Sequence, residues 1–248
     1  MTSGNVYVYA IVPAGTVLPA DCAGVDDPPA VVRVVEEGPV AAVVSASPLK
    51  LRARRRDLIA HQELLTRLSE DGPVIPMRFG MVAPDEEAVR RQLSGSRATH
   101  LAVLHQLDGR VEVNVKVLTA PDALGALVEQ DERVRGLREA ARVRPGHEAN
   151  LRLGEAVAAA LAQRAAAAGR RVLDELSSLA HAVAAGPEVR GCELNASFLV
   201  GRDEYAVFRA SAERLAAHWR EHAELRVAGP LPCYSFVAAE GAPAPAEV

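Results

Sequence analysis

Residues Val111 to Val117 read Val-Glu-Val-Asn-Val-Lys-Val. Apolar and polar residues alternate without a break. Only a strand, whose side chains point to opposite faces with a period of two, puts all four valines on one side and Glu112, Asn114 and Lys116 on the other. The valine face has to be covered by a second layer, and the chain supplies one. From about Glu148 to Ala185 it is rich in alanine, with Val157, Leu161, Val172, Leu176, Leu179 and Val183 as the larger apolar residues. Alanine is the strongest helix former, so a long helix is expected there, bent near Gly169. Val157, Leu161, Leu176 and Val183 are expected to be mostly buried against a C-terminal sheet.

The remaining elements follow from local pattern. Asn5 to Val12 is β-branched and aromatic without a polar face and reads as a strand buried on both sides. Residues 13–30 hold four prolines and two glycines and read as an irregular loop. The valine runs 31–35 and 40–44, separated by Glu36-Glu37-Gly38-Pro39, predict a β-hairpin. A helix is predicted over 56–70, with Leu58, Ile59, His61, Leu64, Leu65 and Leu68 as its apolar stripe.

Val74 to Gly80 is an apolar run interrupted by Pro76 and carrying Arg78. Pro84-Asp85-Glu86-Glu87 opens a helical stretch reaching about Gln106. Residues 121–145 look charged and mobile. A strand is predicted over 193–200, a helix over 203–220, and strands over 224–228 and 233–237. Pro230 and Pro232 cannot donate to a ladder, so they belong at the head of a strand or on an edge.

Helices and strands mix without regular βα alternation, which favours α+β. Two modules of antiparallel sheet and helices are expected, ferredoxin-like in layering: residues 1–108 and residues 109–238, the second with the long helix. Residues 239–248 are expected to form a disordered tail.

The net charge of −4 argues against a general nucleic-acid binder. Only Lys50 and Lys116 among the 28 basic residues are lysines, a bias that reads as genomic composition and makes Arg52, Arg54, Arg55 and Arg56 a solvated helix start first and a docking patch second. The three scattered cysteines, Cys22, Cys192 and Cys233, fit neither a disulfide framework nor a zinc site. With no basic leader before an apolar core, and no run of about 18 apolar residues, a cytoplasmic protein without a membrane span is expected.

Residues that carry chemistry are sparse. His218 and His222 are four apart, as a metal pair would be, but no third ligand is evident, and helix-end histidines are the simpler reading. His61 lies on an apolar stripe, where histidine is usually a hydrogen-bonded packing residue. No serine-hydrolase elbow, phosphate loop or dinucleotide fingerprint occurs. No catalytic, cofactor or metal residues are assigned. Arg78, flanked by Met77 and Phe79, needs water or a partner. It reads as a structural tether to the second module, with partner docking as the alternative.

Six segments in order resemble the gas vesicle protein F/L family. They are Tyr7-Val8-Tyr9-Ala10-Ile11-Val12, His61, Val74-Ile75-Pro76-Met77-Arg78-Phe79-Gly80, Leu107 to Lys116 with Glu112 and Lys116 as counterparts, Asn195-Ala196-Ser197-Phe198-Leu199-Val200, and Gly229-Pro230-Leu231-Pro232-Cys233-Tyr234-Ser235-Phe236-Val237. In the last, Leu231 stands where the family usually has tryptophan and Cys233 where it has proline. The resemblance implies a two-domain, non-enzymatic accessory protein. It would be a minor vesicle component or assembly factor that binds the hydrophobic shell protein and other accessory proteins, without nucleic acid, membrane or cofactor. Partner-binding residues expected on this basis are Pro76, Arg78, Phe79, Pro230 and Tyr234. The resemblance does not separate F from L. A ferredoxin-like small-molecule-binding protein or enzyme is the alternative reading, disfavoured because no polar constellation converges.

Overall fold

A computed structural model describes residues 4–120 and 123–237, and the expected tail at 239–248 lies outside them. The chain forms two compact units: the described residues of Met1–Glu112 together with Leu231–Val248, and Val113–Pro230.

The first unit is built on β1 (Val6–Pro13), β2 (Arg33–Glu37), β3 (Val40–Ala46), α1 (Arg55–Asp71), β4 (Ile75–Pro76), β5 (Val82–Ala83), α2 (Glu86–Gly95) and α3 (Arg97–Leu107). Its sheet runs β2-β3-β1-β4, with β5 also on β1. The predicted hairpin is β2–β3, turned by Gly38 at φ +61°. The apolar opening strand is β1, central and covered on both faces. Tyr7, Tyr9 and Val12 pack against Leu64, Leu65 and Leu68 of α1. Val8 and Ile11 share an apolar cleft with Val89 and Leu93 of α2. A β-bulge at Tyr9 shifts the alternation of the strand, so that Ala10 and Val12 join Tyr7 and Tyr9 in one cluster.

α1 confirms the predicted helix but not the whole predicted stripe. His61, Leu64, Leu65 and Leu68 are buried, whereas Leu58 and Ile59 are exposed at 41% and 44%. The helix is covered along the 57–61–64–65–68 line; Leu58 stands at the margin of that face and Ile59 on the opposite side. α2 starts where the acids predict, with the Asp85 carboxylate accepting from Ala88 N at 2.7 Å.

The second unit holds β6 (Arg110–Thr119, shared at its start with the first unit), α4 (Ala123–Gln130), α5 (Glu132–Val143), α6 (His147–Ser177), β7 (Ala182–Ala185), β8 (Cys192–Gly201), α7 (Tyr205–Trp219) and β9 (Ala223–Leu231). The sheet order β7-β8-β6-β9 makes each crossover, β6 to β7 and β8 to β9, skip one strand. That is the ferredoxin-like split βαβ arrangement. Val113, Val115 and Val117 are fully buried with Phe198, Val200, Phe208 and the α6 residues Ala165, Ala168, Val172 and Leu176. The spacing of those α6 residues keeps them on one face, and their small size lets the helix lie close to β8. A Cβ added at Gly169 would sit 3.3 Å from the Leu194 side chain.

Three expectations are corrected. Residues 121–145 are not irregular where described: α4 and α5 form there, Asp131 caps α5 through Val134 N at 3.0 Å, and Leu127, Val134 and Ala141 are buried. Narrow apolar stripes between prolines hid both helices. The long helix ends at Ser177, so Val183 lies on strand β7 and is 41% exposed; Leu176 is buried, and Val157 and Leu161 are half-buried. The predicted strand over 233–237 is instead a 3-10 turn, Tyr234–Phe236. The Glu112 carboxylate accepts from Ser235 N at 2.8 Å and from Ser235 Oγ at 2.7 Å, so a side chain takes the donor a ladder would need.

Candidate partner-docking site

The segment containing Pro76, Arg78 and Phe79 is an excursion from a sheet edge. Met77 N donates to Tyr9 O at 2.9 Å, and Met81 O accepts from Val8 N at 2.9 Å. Pairing with β1 therefore stops at Met77 and resumes at Met81, and residues 78–80 bulge away from it. Gly80 makes the return at φ +96°, a backbone that a Cβ disfavours. Pro76 tolerates its place because β4 is an edge strand.

A buried polar relay holds both ends of this bulge. His61 Nε2 lies 3.0 Å from Met77 O, which can only accept, so Nε2 carries the proton. The Nδ1 lone pair then accepts from the Tyr7 hydroxyl at 3.0 Å, and Tyr7 Oη accepts from Gly80 N at 3.1 Å. Tyr234 Oη stands 3.3 Å from Nε2 as a longer second contact. Phe79 turns inward, its ring edge-on to Tyr7 at 5.8 Å and to His61 at 5.7 Å between centroids. Beside it, Tyr9 Oη bonds Ser45 Oγ at 2.9 Å and accepts from Val25 N at 2.7 Å.

Burial shapes the electrostatics. It pushes the Tyr7 and Tyr9 hydroxyls above their ordinary pKa and Tyr234 up to about 12, so all three stay protonated. Burial also holds His61 below its ordinary 6.5, against the smaller opposing effect of its bond to Met77 O. The cluster is neutral at pH 7, with both ring nitrogens of His61 committed to protein groups.

Of the five expected partner-binding residues, the structure gathers Phe79 and Tyr234, both half-buried, around His61. Pro76 is buried in β4. Pro230 is exposed in β9 of the second unit, next to Gly229, whose carbonyl accepts from Tyr205 Oη at 2.8 Å. Arg78 corrects its own reading as a buried tether. It is exposed, and its side chain forms no ion pair or hydrogen bond among the described residues. The backbone bulge turns Phe79 in and leaves Arg78 out, which alternation in the sequence did not reveal. Arg78→Ala should therefore leave the melting temperature within about 2 °C, the range of an ordinary surface change. A larger drop in thermal melting would show a hidden structural role. The relay itself was missed apart from His61; the two tyrosines spaced two apart, Tyr7 and Tyr9, on an otherwise aliphatic strand were the available signal.

His218 and His222 pack edge-on around Trp219, with centroids at 5.1 and 6.1 Å. Among the described residues no group of three His, Cys, Asp or Glu side chains is placed to hold a metal ion, and no helix is long and apolar enough to cross a membrane.

Comparison with known proteins gives a consistent relationship. The family model for gas vesicle synthesis proteins GvpL/GvpF matches residues 5–238. Gas vesicle protein F of Streptomyces sp. (strain CB03234) is 41% identical over 237 residues, covering 94% of this chain and 99% of that protein. Gas vesicle protein L of the same organism is 35% identical over 140 residues, 51% of each chain. The crystal structure of gas vesicle protein GvpF from Anabaena sp. PCC7120 superposes with a TM-score of 0.78 at 24% identity, covering 96% of this chain and all of that one, and so shares the fold.

Proposed function

Because the chain belongs to the GvpL/GvpF family of gas vesicle synthesis proteins, and so has an accessory role in gas vesicles, we propose that it acts by binding the hydrophobic shell protein during assembly. In this reading it is a non-enzymatic protein of the cytoplasm and the gas vesicle, with other accessory proteins as further partners. The observation that carries it is the clamped bulge. Arg78 is exposed on a backbone fixed at Met77 and Gly80, and Phe79 sits half-buried beside it. An arginine presented on a rigid backbone next to an aromatic is the composition and pre-organisation that interface hot spots favour. Pro76 and Tyr234 act by holding the bulge, and exposed Pro230 offers a contact on the second unit. The non-enzymatic reading is supported by His61, whose two nitrogens are both engaged by protein groups, the Met77 carbonyl and the Tyr7 hydroxyl.

A subunit that is insoluble before assembly needs a partner to cover its apolar surface. Light scattering of shell protein diluted from denaturant tests this. Equimolar addition of this protein, without nucleotide, should suppress the signal. Arg78→Ala, still folded by its melting curve, should suppress it less. Equal scattering with and without the protein would remove shell-protein binding from the reading. Retention of the protein on purified vesicles, read by immunoblot, separates a resident minor component from a factor that leaves.

A further inference from the structure

A second surface lies on the connector between β3 and α1 and on the outer face of α1. Between Glu37 and Asp57 the chain has no acidic residue but carries Lys50, Arg52, Arg54, Arg55 and Arg56. All five are exposed. Arg56 is neutralised by Asp27 and Asp57. The other four enter no ion pair and no side-chain hydrogen bond among the described residues. The connector is not helical up to Arg54, where Arg54 N donates to Arg52 O at 2.8 Å in a tight turn that draws these two residues together. α1 then begins without a side-chain cap, so Arg54 and Arg55 stand at the positive end of its dipole, a local disadvantage that nothing in the chain offsets.

Apolar side chains accompany these cations. Leu58 and Ile59 follow Arg55 at i+3 and i+4, hence on the same helix face, and both are exposed. Leu51, between Lys50 and Arg52, packs into the cluster that holds Phe79 and Tyr234, which anchors the connector to the folded unit. The result is a fixed strip in which unpaired cations adjoin exposed aliphatic residues.

We propose that this strip docks an acidic, amphipathic segment of a partner polypeptide. The carboxylates of such a segment would neutralise Arg52, Arg54 and Arg55, and its aliphatic residues would cover Leu58 and Ile59. Charge complementarity selects an acidic partner. The exposed neighbours of the cations are aliphatic rather than the aromatic platforms on which bases stack, which favours an acidic polypeptide over a nucleic acid. The strip does not depend on shell protein binding at the bulge, and its test uses neither the shell protein nor Arg78.

Fluorescence anisotropy of a labelled peptide of repeated Leu-Glu-Glu units, titrated with the full-length protein at low salt, is the measurement. A Leu-Gln-Gln counterpart is the control. Binding of the acidic peptide only is expected. The triple variant Arg52→Glu, Arg54→Glu, Arg55→Glu should weaken it at least about tenfold, as should raising the salt toward about 0.2 M. Leu58→Ser with Ile59→Ser should weaken it with little change in salt dependence. Since every altered residue is exposed, unchanged melting curves establish that the variants fold. No binding, equal binding of the glutamine peptide, or binding that survives charge reversal overturns the proposal. So does equally tight binding of oligothymidylate or of phosphatidylserine vesicles.

Discussion

Replacing His61 by alanine is expected to destabilise the first unit by about 3 kcal/mol, a fall in melting temperature on the order of 10 °C. The imidazole is 3% exposed and contacts Tyr7, Met77, Phe79 and Tyr234. Its removal leaves the Tyr7 hydroxyl without an acceptor and the Met77 carbonyl without a donor, and opens a void among aromatic rings. Loss of the clamp should also loosen residues 78–80, so hydrogen exchange at Gly80 N should rise more than at the sheet amides.

His61 also sets a pH dependence with a definite sign. Burial lowers its folded-state pKa from the ordinary 6.5. Below about 6.5 the unfolded chain takes up a proton that the folded chain resists, so the unfolded state binds more protons and stability falls as the pH falls. The contribution is complete above that value and is lost as pH drops from it toward the lower folded-state value. Melting temperatures between about pH 7.5 and 5 should therefore fall more steeply for the wild type than for His61→Ala. Parallel slopes would show that His61 is not the group responsible.

Phe198→Ala is expected to cost the second unit about 4 kcal/mol, the range for a phenylalanine removed from a packed core. Phe198 on β8 is fully buried and meets Phe208 of α7 at 5.3 Å between centroids. It fills the space between the sheet and the helices, so truncation removes aromatic contact and leaves a cavity that neighbouring side chains cannot close without shifting. Denaturant unfolding followed by circular dichroism measures it. A loss under about 1.5 kcal/mol would mean that the core collapses around the gap.

Local rules determined much of this protein. The alternation of Val111 to Val117 became β6 with its valines buried, and the apolar strand at Tyr7 and Tyr9 became the central β1. The acids at 85–87 start α2 because they act within one turn of the chain, and the α+β layering follows from the order of such elements. The family was legible in ordered motifs for the same reason: each motif is a short local solution.

What only tertiary structure decided depends on residues far apart in the chain. Whether Leu58 and Ile59 are buried depends on where α1 meets the sheet, not on their apolar character. The 3-10 turn at Tyr234–Phe236 forms because Glu112, distant in sequence, accepts the donors of Ser235 and carries this segment into the first unit. Arg78 faces water because pairing with β1 is interrupted between Met77 and Met81, and His61 and Tyr7 hold that interruption in place. A pattern of residue types records each side chain's own preference, whereas burial and hydrogen-bond partnership belong to pairs that only the folded chain brings together.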